Sequence, residues 1–503
     1  MRIFSFILFM IVGSGLAFAQ SSDKPLDEFD EYVANAVADW GAPGLAIAVV
    51  KDDQVAFAGG FGVLELGRSD IVDADSLFHV GSTTKAFVSM SLGMLVEEGL
   101  IGWNDRVIDH LPDFRVADPY VTRELRITDL LDHGSGVMTG DLVWLSGASR
   151  AESMKRLAHA EQAFSLRNDW QYNNMMYLVA GELVAAVTGA PFEDFVRTRI
   201  FEPLGMSRSV LTEAEWDVQA NKSVAHYPHP ETGEMTVIEY PHIYEAGGAG
   251  LINSSVNDYT HWLRFLLRGG ELEGQQLVST ATIDEMWRQH NSMSEPPYPA
   301  AQLADSHMFG YGLGWFLQDY RGEKMVMHTG SIFGQAAIVG LLPEHDLGVV
   351  VFINGDHVEI RHALMYEVFD RYLGYDEDMD WSTELKAVFD DIAAESKGNT
   401  KDDDGQAPEM SLPLASYAGT YEHPYFGEMT ISMEDDSLVL RMGTRLEYQM
   451  KHSQYDMFVL ETEKFWLGGG SVAFESDNRG GLSAANIYGI AFDKVDSADP
   501  TKG

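Results

Sequence analysis

Strand-like runs stand at both ends of the first 375 residues of this chain, and helix-like runs fill the space between them. Near the N-terminus, Leu45–Val50 and Gln54–Gly62 flank the turn Lys51-Asp52-Asp53 and read as a hairpin. Strand patterns return at Gly312–Gln318, Lys324–His328, Gly334–Leu342 and Leu347–Asn354, with a helix after them at about 359–373. Between these groups, over roughly 110–300, Met175–Thr188, Phe192–Ile200 and Ser255–Leu267 carry apolar faces at the 3.6-residue period. Strands from the two ends must then meet in one sheet. The pattern predicts an α+β fold: an antiparallel sheet with flanking helices and a helical lobe inserted between its halves.

The chain has 503 residues, more than one core organises, because single cores stop growing near about 250–300 residues. A second unit is legible beyond the first, which spans 25–375. Residues 376–411 read as a helix and a linker, Ser396–Pro408 being polar, charged and aperiodic. From 412 to 497 short alternating runs recur, among them Glu428–Met433, Ser437–Met442, Met457–Glu461 and Ser471–Phe474, between Gly, Asp and Asn turns. They predict a small all-β barrel without a catalytic constellation of its own.

Residues 1–19 have the form of a signal peptide. Arg2 precedes the apolar run Ile3–Val12, and Ala17-Phe18-Ala19 offers a cleavage site after Ala19. The run is shorter than the roughly 20 residues that span a bilayer, so an exported protein, periplasmic or secreted, is expected, with no integral membrane segment after cleavage. There is no cysteine, so a thiol nucleophile, a thiolate zinc site and a lipidated cysteine anchor are all excluded. Asp and Glu number 77 against 34 Lys and Arg, a net charge of −43. Such a field repels phosphates, and nucleic acid is not an expected partner. His226-Tyr227-Pro228-His229 lacks a carboxylate-rich partner at ligand spacing, and no metal is assigned.

The chemistry starts at Ser82-Thr83-Thr84-Lys85. Positions three apart on a helix share a face, so the Ser82 hydroxyl and the Lys85 amine can meet. A buried lysine falls below its ordinary pKa of about 10.4, and a neutral amine can take a serine proton. The spacing alone is weak, since Ser21-Ser22-Asp23-Lys24 has it too. Two rarer motifs follow. Tyr172-Asn173-Asn174 is the only Tyr-x-Asn in the chain and precedes an amphipathic helix. His328-Thr329-Gly330, at the end of a strand, is the only His/Lys-Ser/Thr-Gly.

In order and separation these motifs resemble the Ser-x-x-Lys, Tyr-x-Asn and Lys/His-Thr-Gly set of the serine β-lactamase and penicillin-binding superfamily. Leu130–Gly136, Phe201–Met206 and Ala246–Leu251 look like its further conserved segments, over roughly 25–375. The use of tyrosine is closest to the class C β-lactamase branch, and the C-terminal segment resembles a small lipocalin-like domain found after some of these hydrolases. The resemblance implies that Ser82 forms an acyl-enzyme, with Lys85 and Tyr172 sharing the base work. It implies that Asn174 orients Lys85 and holds the substrate amide. The backbone N–H groups of Ser82 and Ser331 would form the oxyanion hole, each worth about 3 kcal/mol of barrier. His328, Thr329 and Gly330 would line the wall that binds a substrate carboxylate or carbonyl. No cofactor is implied.

His328 stands where class C β-lactamases mostly carry lysine. A histidine titrating near about 6.5 would make carboxylate recognition pH-dependent. The departure ranks a peptidase or amidase on small or D-residue-containing peptides first, a carboxylesterase second and a β-lactamase third. A slowly deacylating penicillin-binding sensor is the non-enzyme alternative. The partner is a small-molecule or peptide substrate, and the sequence leaves a homo-oligomer open.

Overall fold

The computed structural model describes residues 25–239, 243–375, 379–398, 408–477 and 479–495. The leader expected at 1–19 and most of the linker expected at 396–408 lie outside them. Eight strands form one antiparallel sheet in the order Gln54–Gly62, Gly44–Lys51, Leu347–Ile353, Gln335–Leu342, Glu323–Ile332, Phe316–Tyr320, Phe309–Tyr311 and Asn291–Ser292. The two ends of the catalytic segment meet where Leu45 faces Ile353 and Lys51 faces Leu347.

The central strands are apolar throughout because both faces of the sheet are covered. Successive side chains on a strand point to opposite faces. Leu45, Ile47 and Val49 therefore enter one core, while Ala46, Ala48 and Val50 enter the other. On the first face the helices Phe29–Trp40 and Ile360–Leu373 supply Phe29, Val33, Leu364 and Val368. On the second the helix Val256–Leu267 brings Tyr259, Trp262 and Phe265, and beyond it lies the helical lobe. Fully burying an aromatic of this kind contributes about 2 kcal/mol.

Two expectations shift in detail. The strand expected at Gly312–Gln318 begins at Phe316, because the chain turns through Gly314 at φ 81°. A Cβ there would lie 2.9 Å from the Lys85 carbonyl oxygen, so this turn is pressed against the helix that carries the nucleophile candidate. The helix expected within 376–411 is Trp381–Gly398, and it runs into the first residues of the expected linker. Its start is anchored: the Trp381 indole donates to the buried Asp370 carboxylate at 2.7 Å, which also accepts from Tyr320 at 2.6 Å and from Arg321 at 2.6 and 2.7 Å.

Eight further strands, from Gly419–His423 to Ile490–Val495, close into a barrel, its first and last strands pairing Thr420 with Val495. Alternation sorts inside from outside, as in Leu446, Tyr448 and Met450, buried, against Glu447, Gln449 and Lys451, exposed. Closure leaves no open edge. The barrel packs on the lobe rather than hanging from it. Tyr425 and Phe426 belong to the same apolar cluster as Val143, Trp144 and Met175. Thr444 N–H donates to the Ser146 carbonyl at 2.9 Å, and Arg445 pairs with Glu245 at 2.6 Å. Among the described residues no single helix is long and apolar enough to cross a membrane.

Removing Asp370 takes away the acceptor that joins helix, strand and C-terminal helix. Asp370→Ala is expected to lower the unfolding free energy by about 3 kcal/mol. It should appear as an earlier urea midpoint with an unchanged slope, while the reactivity of Ser82, on the far side of the sheet's strands, is retained.

Candidate active site

Ser82 lies in a short 3-10 turn, Gly81–Thr83, which runs straight into the helix Thr84–Glu97. That helix has no polar stripe (TKAFVSMSLGMLVE), so it is buried on all sides, as an apolar helix must be. From Gly81 to Leu95, Ser82 is the one residue that is not buried. A lone hydroxyl is thus presented to solvent from the start of a core helix.

Lys85 lies directly behind it and is fully buried. Its Nζ is 3.0 Å from Ser82 Oγ, 2.7 Å from Asn174 Oδ1 and 2.9 Å from the Ala249 carbonyl oxygen. The rings of Tyr172 and Tyr177 stand 4.7 and 5.2 Å away. Burial pushes the amine down to about 7, against the opposing charge of Asp141. Asp141 reaches the amine through an intermediary: Asn174 Nδ2 donates to Asp141 Oδ2 at 3.0 Å. Burial raises the Asp141 carboxyl, with the Asn174 hydrogen bond and the Lys85 charge working the other way.

Asn174 opens the helix Asn174–Thr188, capped by Asn173, whose side chain accepts from Met176 N–H at 3.3 Å. Tyr172 precedes the cap in extended chain. Burial holds its hydroxyl well above the ordinary tyrosine value, with hydrogen bonding to Ser82 opposing the rise. His133, from the Leu130–Gly136 segment, packs 4.3 Å from the Tyr172 ring and accepts from Asn173 N–H at 3.1 Å. It holds the chain at Tyr172 in place. Gly248 in the Ala246–Leu251 loop permits the backbone contact that brings Ala249 to Lys85, since a Cβ there would be 2.6 Å from the Tyr177 carbonyl.

The third motif supplies the facing wall. A Cβ on Gly330 would lie 1.9 Å from the Val80 carbonyl and 3.1 Å from Ser82 N, and one on Gly81 would lie 2.8 Å from Ser331 N. The two glycines therefore let the strand Glu323–Ile332 and the helix start touch, with the amides of Ser82 and Ser331 at the contact. Arg361 Nη1 ties down the same corner, donating to the Gly330 carbonyl at 2.6 Å and Ser331 Oγ at 3.0 Å. Thr329 Oγ1 bonds to the Tyr298 hydroxyl.

His328 departs from expectation. It is only 1% exposed and does not line the cavity. Its Nδ1 meets the Thr329 carbonyl at 2.6 Å and its Nε2 the Tyr311 hydroxyl at 2.8 Å. A carbonyl only accepts, so Nδ1 carries the hydrogen and Tyr311 donates to Nε2. Burial and the Lys85 charge push the ring down to about 3. A neutral, inward-facing imidazole cannot be the pH-dependent carboxylate reader, and that reading is corrected. Its inward course follows from the strand's alternation, which turns Thr329 outward instead.

A cavity of about 610 Å³ opens over Ser82, and Tyr172, Asn174, Thr329 and Ser331 line it. Trp170, Phe316, Tyr298 and Met293 make its apolar walls, and Asp169 and Glu295 are its two carboxylates. Among the described residues, no Lys or Arg lines it. The structure thus gathers Ser82, Lys85, Tyr172, Asn174, His328, Thr329, Gly330 and Ser331 in one place, but Lys85, His328 and Gly330 lie behind the surface. Gly330, expected in the wall, therefore does not line the cavity: it serves the strand–helix contact instead. Asp141, Tyr298, Tyr311 and Arg361 were not singled out. They lie outside the motifs, and only the fold brings them near.

A solvent-facing serine on a buried amine, beside a tyrosine and an asparagine, at the edge of an antiparallel sheet between helical layers, defines an active-site serine hydrolase. The chain belongs to the Beta-lactamase family, whose model matches residues 29–369. Residues 403–499 match a domain of unknown function, DUF3471. The chain is 29% identical over 448 residues to the unguisins hydrolase ungD of Aspergillus violaceofuscus (strain CBS 115571), covering 82% of this chain and 78% of the relative. It is 28% identical to penicillin-binding protein 4 of Amycolatopsis lactamdurans, over 66% of this chain and 85% of the relative. In fold it is similar to the octameric penicillin-binding protein homologue from Pyrococcus abyssi, with TM-score 0.60 at 19% identity over 92% of this chain and 98% of that one.

The glycine contact gives a direct check. Gly330→Ala must push the strand from the helix start, and misplacement of about 1 Å in such a site can cost 10²-fold in rate. Ser82 labelling by a fluorophosphonate is expected to slow about a hundredfold while far-UV circular dichroism is unchanged.

Proposed function

We propose that the protein is an exported serine peptidase or amidase that acylates Ser82 and acts on small peptides, D-residue-containing ones included. Lys85 is the first base. In its neutral form two N–H bonds donate to Asn174 and Ala249, and the lone pair faces Ser82, whose hydroxyl donates to it. An amine held at about 7 is substantially neutral at physiological pH, whereas the Tyr172 hydroxyl, held well above its ordinary value, is not ionised there. As Ser82 Oγ attacks the carbonyl, its proton passes to Lys85 Nζ. The developing oxyanion is met by the amides of Ser82 and Ser331. The tetrahedral adduct expels the amine, which takes the proton back from Lys85 through the Tyr172 hydroxyl, and water then releases the acid from Ser82 along the same path.

One observation carries the choice of substrate: the cavity over Ser82 has two carboxylates in its lining, Asp169 and Glu295, and, among the described residues, no Lys or Arg. A substrate carboxylate next to the scissile bond would be repelled there, because like charges in a confined site are costly. This supports neutral or amine-bearing amides over β-lactams and over C-terminal carboxylates. The hydrolase named among the relatives supports turnover over a stable adduct. Export rests on the residue 1–19 leader, and the N-terminal sequence of protein recovered outside the cytoplasm should begin at Gln20.

The deciding experiment compares a D-alanyl peptide amide, an L-peptide, a p-nitrophenyl ester and nitrocefin on one preparation, with Ser82→Ala as control. Amide hydrolysis lost in Ser82→Ala is expected, with nitrocefin the slowest. Nitrocefin turnover faster than every amide and ester would reverse the reading.

The pH dependence follows from the base. Lys85 works deprotonated, so kcat/KM falls as pH drops through about 7, by about one decade per unit below that. Carboxylate reading by a titrating His328 would add a second limb near 6.5 for carboxylate substrates only. That second limb is not expected.

A further inference from the structure

Asp141 is outside the three motifs, yet it lies on the back of the site. Its Oδ2 accepts from Asn174 Nδ2 at 3.0 Å and its Oδ1 from the Trp144 indole at 3.3 Å. Asn174 turns its other atom, Oδ1, to Lys85 Nζ at 2.7 Å. An amide side chain can be flipped about its last bond, which would present its NH₂ to the amine. The Asp141 carboxylate only accepts, so it forces the NH₂ its way and the oxygen toward Lys85.

The segment that carries Asp141 is held from the other domain. The barrel's first hairpin turns between His423 and Gly427, and its Tyr425 is 0% exposed. A Cβ on Gly140 would lie 1.8 Å from the Tyr425 hydroxyl oxygen and 2.9 Å from Met175, the neighbour of Asn174. The tyrosine therefore occupies the space that a side chain at 140 would take. That hydroxyl is buried without a hydrogen-bond partner among the described residues. Burial raises it above the ordinary tyrosine value, and the charge of Asp141 adds to the rise. Bonds on either side fix the contact: Arg156 to the Phe426 carbonyl at 3.0 Å and Thr444 N–H to the Ser146 carbonyl at 2.9 Å.

We propose that Asp141 is a positioning residue for the Asn174–Lys85 pair, and that Tyr425 holds its segment in place, so that the barrel completes the active site. The proposal rests on the reading of Ser82 and Lys85 given above. The groups that face Lys85 are Ser82, Asn174, the Ala249 carbonyl and the rings of Tyr172 and Tyr177. The charged or titratable groups that interact with it at longer range are Asp141, His133 and His328. Both histidines are buried and pushed down, so Asp141 supplies the full charge in that set.

The test measures Ser82 acylation by a fluorophosphonate against pH, with thermal melting in parallel. Asp141→Asn keeps the shape and removes the charge that favours protonated Lys85. Its acid limb is expected at lower pH than in the wild type, with the melting temperature little changed. Asp141→Ala, which frees the Asn174 amide, should lose about tenfold or more in rate. Tyr425→Ala should slow acylation about threefold to tenfold, and the double variant with Asp141→Asn should fall short of the product of the two single effects. If Tyr425→Ala does not fold, Tyr425→Leu keeps an apolar body and withdraws the tip from Gly140, giving the same comparison. An unmoved acid limb in Asp141→Asn overturns the role of Asp141. Wild-type rates in a folded Tyr425 variant, or effects that simply multiply, overturn the barrel's part. Failure of the wild type to label at Ser82 would instead sink the reading on which this one rests.

Discussion

An amine buried behind a serine is the constraint around which this molecule is arranged. Removing a lysine from water without compensation is prohibitive as a cation, so the fold must offer acceptors and tolerate the neutral form. Its polar partners come from the turn just before its own helix, at Ser82, and from two distant stretches: Asn174, at the start of the helix Asn174–Thr188, and Ala249, in a glycine-rich loop. The elements around the amine meet by close approaches that larger residues would forbid. Gly314 lies against the Lys85 carbonyl, Gly248 against Tyr177, and Gly81 with Gly330 across the strand–helix contact. The chemistry at Ser82 and the packing of the lobe on the sheet are thus one problem, solved by the same residues.

The wall opposite the amine keeps its histidine out of the cavity. Alternation along Glu323–Ile332 points Thr329 to the cavity and His328 into the aromatic packing of Tyr311, Phe316 and Tyr172. A second cation so close to Lys85 would make each amine or imidazolium harder to charge. Keeping His328 neutral removes that conflict, and the carboxylates at the mouth agree in sign with the −43 of the whole chain. In the function proposed above, both charges act against an anionic substrate, one at long range and one in the cavity.

The order of strands and helices was legible because the central strands are buried on both faces and the helices carry a 3.6-residue stripe. The Tyr172 and His328 motifs were legible because each is short, contiguous and occurs once in this chain, and they gave weight to Ser82, whose spacing recurs at Ser21. What failed to show was anything set by direction or by contact between distant segments. Whether His328 faces in or out depends on the phase of a strand whose observed span, Glu323–Ile332, is longer than its apolar run suggests. Asp141 sits in Gly140-Asp141-Leu142, a helix start like many others, and its partner Asn174 is 33 residues away. The break at Gly314 was hidden because glycine inside an apolar run does not announce whether the chain bends.

A closed barrel has no strand edge to offer, so its loops and tips must make whatever contacts it makes. In this chain one such tip is apolar at Tyr425 and Phe426, and it enters the same core that carries Met175 beside Asn174. A tip that served only to tether the barrel would gain as much from any apolar surface of the lobe. It lies instead on Gly140, next to the carboxylate that orients the asparagine facing the buried amine. The constraint that organises the first domain therefore extends into the second: Lys85 is ordered by Asn174, Asn174 by Asp141, and the chain at Asp141 by a tyrosine that follows it by almost three hundred residues.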